Sequence, residues 1–275
     1  MIKYQNYHRH SCYTNPKISD STVTNEDYAK RAVELGHGII STMEHGYQGR
    51  YIEGYELAKK YNLKFVFGTE AYWVLNREEK DGSNCHICIF ARNENGRQAI
   101  NDILSEANIS GFYKQARLDV DLILSLPKDD VIVTTACVAY WKYDNIVEIT
   151  KKFRGHFGKN FYLEVQYHNT PKQIELNTKI LQLSHDLNIP IIMGCDSHYT
   201  IEEQSQNRTD FLYSKGLEYP DEEGWYLDYP NGDEAYKRFA NQCVLSHEQI
   251  LEAMKNTEVF LEVEEYNNPC NLPKR

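Results

Sequence analysis

Ile189-Pro190-Ile191-Ile192-Met193, followed at once by Asp196-Ser197-His198, is the stretch whose reading decides the fold. A short apolar run of this kind reads as a buried strand. The segment before it, Pro171 to about Leu187, has helical spacing with proline at its first turn. A helix feeding a buried strand is the repeat of a mostly parallel sheet or barrel. Residues two apart in extended chain project on one face, so Asp196 and His198 offer two ligand-type side chains in one direction. His8-Arg9-His10, nearly two hundred residues earlier, repeats the arrangement. Imidazole and carboxylate together suit zinc, manganese or iron.

Working outward, short apolar runs alternate with helical patterns along the first 200 residues. Thr24-Asn25-Glu26-Asp27 is a capping box that opens a helix to about Leu35, with Gly36 as its stop. Strands are expected at Gly38 to Thr42, Lys64 to Phe67, Cys85 to Ala91, Val131 to Thr135, Asn160 to Gln166 and Ile189 to Met193. Between them, helices are expected near Tyr51 to Tyr61, Gly96 to Ala107 and Asn145 to Phe157. After residue 200 a helix over Glu202 to Lys215 precedes a Tyr-, Gly-, Pro- and acid-rich loop or hairpin, then helices at Asp233 to Asn241 and Ser246 to Lys255. Residues 1–200 thus read as one metal-binding barrel, and 201–275 as an extension packed on it within the same domain. A chain of 275 residues suffices for one large α/β core.

Composition narrows the function. A formal net charge of −10 argues against a general basic face that coats nucleic acid, although bound divalent cations would supply local positive charge. The 7 cysteines, odd in number and irregularly spaced, read as reduced thiols. No apolar leader and no membrane-length stretch is visible, so a cytoplasmic location is expected. There is no P-loop, no G-x-G-x-x-G and no G-x-S-x-G, which removes support for nucleotide-cofactor and serine-hydrolase chemistry.

Ligand-type residues recur at strand ends. Glu44-His45 follows the strand ending at Thr42, Glu70 follows Phe67, His86 lies in the strand from Cys85, and Cys137 follows Thr135. Taken singly, each has a plain structural explanation as a core thiol, a satisfied core histidine or a capping acid. Their recurrence in register favours convergence of His8, His10, Glu44, His45, Glu70, His86, Cys137, Asp196 and His198 at the face where β/α barrels build active sites. Asp119-Val120-Asp121 imitates a metal-binding motif but sits at the start of a helix as a capping run. Arg9, between two ligands, should point away from them. Arg50, Lys59, Lys60 and His168 are the candidate substrate contacts.

These segments resemble the PHP (polymerase and histidinol phosphatase) family, and more narrowly the N-terminal PHP domain of the bacterial replicative DNA polymerase III alpha subunit. The resemblance rests on Tyr7-His8-Arg9-His10-Ser11, Ser41 to Gly46, Phe67 to Tyr72, His86 with Ala91 to Gly96, Thr135-Ala136-Cys137, Phe161 to Gln166 and Ile189 to Tyr199. It implies a distorted seven-stranded (β/α) TIM-like barrel with two or three divalent metal ions (Zn, Mn, Fe or Mg) at the C-terminal face of the strands. It further implies one metal on His8, His10, Glu70 and Asp196, a second on Glu70, His86 and Cys137, and a third on Glu44, His45 and His198. The family usually has Asp where this chain has Glu44.

The function so implied is metal-dependent phosphoester hydrolysis, foremost a 3′→5′ exonuclease linked to replication. Its partners would be DNA or another phosphoester, and a replicative polymerase body or proofreading subunit. The alternatives are a non-catalytic, metal-stabilised scaffold of a polymerase and a phosphatase of the histidinol-phosphate type. The palm carboxylates of the polymerase are absent, so this chain is not expected to polymerise DNA.

Overall fold

The computed structural model describes residues 2–14, 19–83, 85–219 and 223–269. One sheet holds β1 (Ile39–His45), β2 (Lys64–Trp73), β3 (Cys85–Ala91), β4 (Phe112–Tyr113), β5 (Gln115–Leu118), β6 (Val131–Thr134), β7 (Phe161–Val165) and β8 (Ile191–Met193). Its wall runs β1-β2-β3-β6-β7-β8, with the β4–β5 hairpin attached at the end of β2. The helices are α1 (Asn25–Leu35), α2 (Tyr51–Tyr61), α3 (Glu94–Ile109), α4 (Val120–Leu124), α5 (Ile146–Phe157), α6 (Pro171–Leu187), α7 (Ser205–Ser214), α8 (Gly232–Gln242) and α9 (His247–Asn256). The capping box at Thr24 and Asp27 is formed, and Gly36 ends α1 at φ 70°, a conformation glycine takes without a Cβ penalty.

The sheet departs from the expected distorted seven-stranded, mostly parallel barrel in two ways. First, β3 runs antiparallel to both of its neighbours, β2 and β6. The β2–β3 connection is a polar stretch with no crossover helix, and without such a crossover two neighbouring strands can only pair antiparallel. That stretch is organised by buried Arg117, whose guanidinium donates to the carbonyls of Arg77, Glu79, Asp81 and Gly111. Second, the wall forms a half-barrel. Among the described residues, β1 and β8 do not pair, and the N-terminal segment fills the gap with a single parallel bridge, Arg9 to Ser197. On the β1 side side chains replace a ladder. Ser41 Oγ donates to the Tyr7 carbonyl at 2.8 Å, and the Arg9 guanidinium donates to the Ser41 carbonyl.

Inside the half-barrel, the period of two sets what lies where. Ile39, Met43, Val66, Cys88, Phe90, Ile132 and Ile192 form an inner apolar cluster, closed at its base by Phe260 and Val263. Phe260 stacks on Tyr7 with ring centroids 4.4 Å apart and meets Phe90 edge-on at 4.7 Å. A Cβ on Gly68 would lie 2.3 Å from Phe90, so glycine there leaves room for the ring. The opposite parity, with Ile40, Phe65, Phe67, Ile87 and Ile89, joins the larger core that the helices cover. Leu227, Ala235, Phe239, Ile250 and Met254 of the C-terminal segment enter that same core.

Candidate metal centre

The same parity that fills the base with apolar side chains delivers polar ones to the top. On β1, Ile39 and Met43 are followed at their spacing by His45. On β2, Val66 and Gly68 are followed by Glu70. On β3, counted backwards, Phe90 and Cys88 lead to His86. His86 stands near the start of its strand, and only the antiparallel direction of β3 brings it beside the end of β2, where it pairs with Tyr72. The N-terminal segment adds His8 and His10, and the turn after β8 adds Asp196 and His198.

Glu70 is the hub. Its Oε2 lies 3.1 Å from His10 Nε2 and 2.8 Å from His45 Nδ1, and its Oε1 lies 3.0 Å from His86 Nδ1 and 3.6 Å from His8 Nε2. Asp196 Oδ1 lies 3.1 Å from His10 Nε2 and 3.4 Å from His8 Nε2. Cys137 Sγ approaches His86 Nδ1 at 3.5 Å. The atoms of His8, His10, Glu70 and Asp196 are close enough to share one cation, as are those of His45, Glu70 and His86, and those of His10, His45 and His198. His10 Nε2, His45 Nδ1, Glu70 Oε2 and Asp196 Oδ1 are buried and meet other members of the cluster only in ion-pair contacts that lack hydrogen-bond geometry. Buried polar atoms left this way cost about 1–3 kcal/mol each, so the cluster has the donors and the unmet need of a divalent cation site.

Electrostatics agree. Burial alone would raise the Glu70 carboxyl, but His86, His45 and His10 outweigh it and hold the carboxyl well below its ordinary range. Asp196 is likewise held low, with burial overcome by His8, His10 and His198. Burial disfavours charge on His8 and His45 too, but Cys88, Glu164 and Asp196 raise the first well above normal, and Glu70 raises the second. Burial, with Glu70 and Asp196, drives the Cys137 thiol up. A cation bound among these groups would replace the positive charge that protons on the imidazoles otherwise supply. Asp196 (φ 49°) and Ala136 (φ 54°), next to Cys137, are left-handed, which costs a non-glycine residue on the order of 1 kcal/mol.

Two residues that the sequence reading did not assign complete the arrangement. Glu164 Oε1 lies 2.7 Å from His8 Nδ1 and also accepts from Gln166 Nε2, while Oε2 accepts from Tyr7 and Thr134. It fixes the His8 ring so that Nε2 faces Glu70 and Asp196. Asp20 Oδ2 lies 3.5 Å from His198 Nε2 and 3.7 Å from His45 Nε2, and those imidazoles hold its carboxyl well below normal against the effect of burial. His198 Nδ1 donates to the Asp196 carbonyl at 2.9 Å, which leaves Nε2 for that corner.

Glu44 does not join the cluster, a correction to the expected third site. β1 continues through His45, so adjacent Glu44 projects to the opposite face, where its carboxylate accepts from the Ser11 hydroxyl and from Ser11 N at 3.2 Å. Arg9 points away from the cluster to Asn25 and lies over the Tyr28 ring. Lys59 and Lys60 sit in the last turn of α2, next to the start of β2 and therefore at the wrong end of the strands. Lys60 binds Glu26 at 2.7 Å and Lys59 lies over Tyr55. Arg50 precedes α2, on the cluster's side of the sheet, over the Tyr13 ring at 4.5 Å. His168 is buried and stacks on Trp225; its Nδ1 accepts from Tyr226 N at 3.2 Å, and burial lowers its pKa to about 3. Asp119 caps α4 by accepting from Leu122 N.

The PHP domain family matches residues 6–168. A protein named DNA polymerase III subunit alpha from Campylobacter jejuni is 26% identical over 99% of this chain and 23% of its own length. A protein of the same name from Borreliella burgdorferi is 27% identical over 74% of this chain and 19% of its own. The chain thus spans less than a quarter of the length of these relatives. Among solved structures, an amidohydrolase from Chromobacterium violaceum with bound sulfate superimposes with a TM-score of 0.47 at 13% identity, covering 71% of this chain and 87% of that one.

Proposed function

The chain belongs to the PHP family, and from that premise we propose that it is a metal-dependent phosphoesterase acting on the 3′ end of a DNA strand. The observation that carries the reading is the convergence of buried His10 Nε2, His45 Nδ1, Glu70 Oε2 and Asp196 Oδ1 on one another, close enough to share cations. Divalent cations, when bound, would supply charge to the phosphoryl oxygens and acidify an attacking water. His8, His10, Glu70 and Asp196 would hold the first, Glu70, His86 and Cys137 the second, and His45, His198 and Asp20 the third. Imidazole, carboxylate and thiol donors favour zinc, manganese or iron over magnesium.

The side chains of His86 and His45 remain 17% and 10% exposed, so the cluster has an open side where a phosphate can approach. A purely structural cation site would be closed by protein ligands. Glu164 orients the His8 ring, and Glu70 holds the donors of two sites in one fixed geometry, which limits reorganisation as charge develops on the phosphate. Arg50, on the same side as the cluster, is a candidate phosphate contact. The relatives named DNA polymerase III subunit alpha support a replication context, with a replicative polymerase as the partner. Among the described residues, no helix is long and apolar enough to cross a membrane.

The test is hydrolysis by metal-loaded protein of a 3′-labelled single strand, a primer-template and a small phosphomonoester, repeated with His10→Ala. The expected result is shortening of DNA from its 3′ end that the substitution reduces by at least about a hundred-fold. Failure to hydrolyse any substrate with zinc, manganese, iron or magnesium demonstrably bound would overturn the proposal.

A further inference from the structure

Beside the cluster, towards α7, lies a cavity of about 470 Å³ that phosphoester chemistry alone leaves unused. No cluster residue lines it, but it adjoins the cluster and the neighbouring His168 at three places. Tyr199 lines it and directly follows His198. Trp225 lines it while stacking on His168, ring centroids 4.4 Å apart. Arg208 lines it while donating Nε–H to the Asp20 carbonyl at 2.6 Å, and the Asp20 carboxylate faces His198. A ligand in this cavity is therefore a neighbour of whatever occupies the cluster.

We propose that the cavity receives the unpaired base of the nucleotide whose phosphate lies at the metal cluster, an inference that rests on the phosphoesterase reading. The volume is in the range of pockets that enclose small aromatic ligands. His168 covers one face of the Trp225 indole, which lines the cavity over the buried Tyr199, while Tyr213 and Tyr219, 70% and 41% exposed, stand at its mouth. Aromatic surfaces of this kind stack on any base through its π-face. Glu202 and Glu218 also line the cavity. Carboxylates repel a phosphate and accept hydrogen bonds from the N–H groups of a base, so the acids direct the phosphate to the cluster and the base to the cavity. A base paired in a duplex cannot enter, and frayed or single-stranded ends become the preferred substrates.

The experiment compares a short single strand ending in thymidine with the same strand ending in an abasic residue. The wild-type kcat/KM ratio should favour the base by about ten-fold, the equivalent of 1.4 kcal/mol of stacking. Trp225→Ala should bring the ratio towards one and Trp225→Tyr should retain it, whatever either change does to the absolute rate. Tyr219→Ala, at the exposed mouth, should lower the ratio even if Trp225→Ala does not fold. Calorimetric titration of the full chain with thymidine 5′-monophosphate and with deoxyribose 5-phosphate reads the cavity without catalysis, and the nucleotide should bind about ten-fold tighter. Hydrolysis with equal rates on both strands, or equal binding of the two phosphates, overturns the base site and leaves the phosphoesterase reading standing. Base-dependent binding without any hydrolysis supports the cavity and overturns the phosphoesterase reading instead.

Discussion

Replacing Gly194 by alanine should weaken metal binding without touching a ligand. A Cβ at Gly194 would lie 2.0 Å from Glu164 Oε1, 2.3 Å from its Cδ and 2.8 Å from its Cγ. Ordinary contact needs roughly 3.5 Å, so the carboxylate must retreat by an ångström or more. Oε1 is the atom that lies 2.7 Å from His8 Nδ1 and accepts from Gln166 Nε2 at 2.8 Å, and neither contact survives such a shift. Gly194 is not among the positive-φ glycines, so its backbone would accept alanine and the effect is steric. Loss of a hydrogen bond that orients a ligating histidine typically costs about 10–100-fold in metal affinity. Glu164→Gln should act through the same contact. An amide with its NH2 towards the Tyr7 and Thr134 hydroxyls, which can also accept, keeps a carbonyl on His8 and Gln166 but removes the negative charge that holds the His8 ring. The assay is competition between the protein and a chromophoric chelator for zinc and manganese, with far-UV circular dichroism checking the fold. The double substitution should lose no more than the worse single one, since both remove one interaction. Wild-type affinity in Gly194→Ala, or losses that add, would refute the reasoning.

Asp20→Asn should weaken the most loosely held cation by about ten-fold, while Glu44→Gln should change no metal affinity by more than about two-fold, because Ser11 rather than the cluster holds Glu44. The reverse order in metal titrations would restore Glu44 as a ligand. A separate effect on acid stability is expected from His37, whose Nδ1 meets the Tyr229 hydroxyl at 2.7 Å and whose pKa burial, aided by Arg31, lowers to about 4. The folded state thus prefers neutral His37, so its contribution is complete above about pH 6.5 and declines as pH falls towards 4. Between pH 7.5 and 5.0 this amounts to about 2 kcal/mol, and denaturant unfolding with chelator present should show a shallower pH dependence in His37→Gln. An unchanged slope would remove His37 from the account.

What could be read from the chain follows the periodicities. Helix α6 and its strand were legible because Pro171, the 3.6-residue spacing and the Ile189–Met193 run agree. The direction of β3 was not. A seven-residue apolar run says nothing of parallel or antiparallel pairing, and the discriminating feature, a β2–β3 connection without a helix, lies outside the strand. The β4–β5 hairpin, with strands of 2 and 4 residues, is too short for any period to register. The open seam between β1 and β8 was equally invisible, since it depends on the Arg9 guanidinium bonding the Ser41 carbonyl that a ladder N–H would otherwise occupy.

The site divides along the same line. His45, Glu70 and His86 could be found because each continues a strand's inward parity, and the same rule, applied to the full length of β1, would have excluded Glu44. With that strand ending at Thr42, Glu44 and His45 fall in a loop, where parity has no force and both are available; in the structure β1 runs on through His45. Glu164 carried a usable signal. It alternates with buried Phe161, Leu163 and Val165 on β7, so its carboxylate had to face the interior and therefore needed partners there. Asp20 carried none, because it belongs to a loop with no period, and only the fold brings its carboxylate to His45 and His198. A single chain therefore reveals the ligands that sit on regular backbone and conceals those that do not. By that logic any further residue that contacts the substrate should come from the segments around the cavity between Tyr199 and Trp225, where periodicity is weakest.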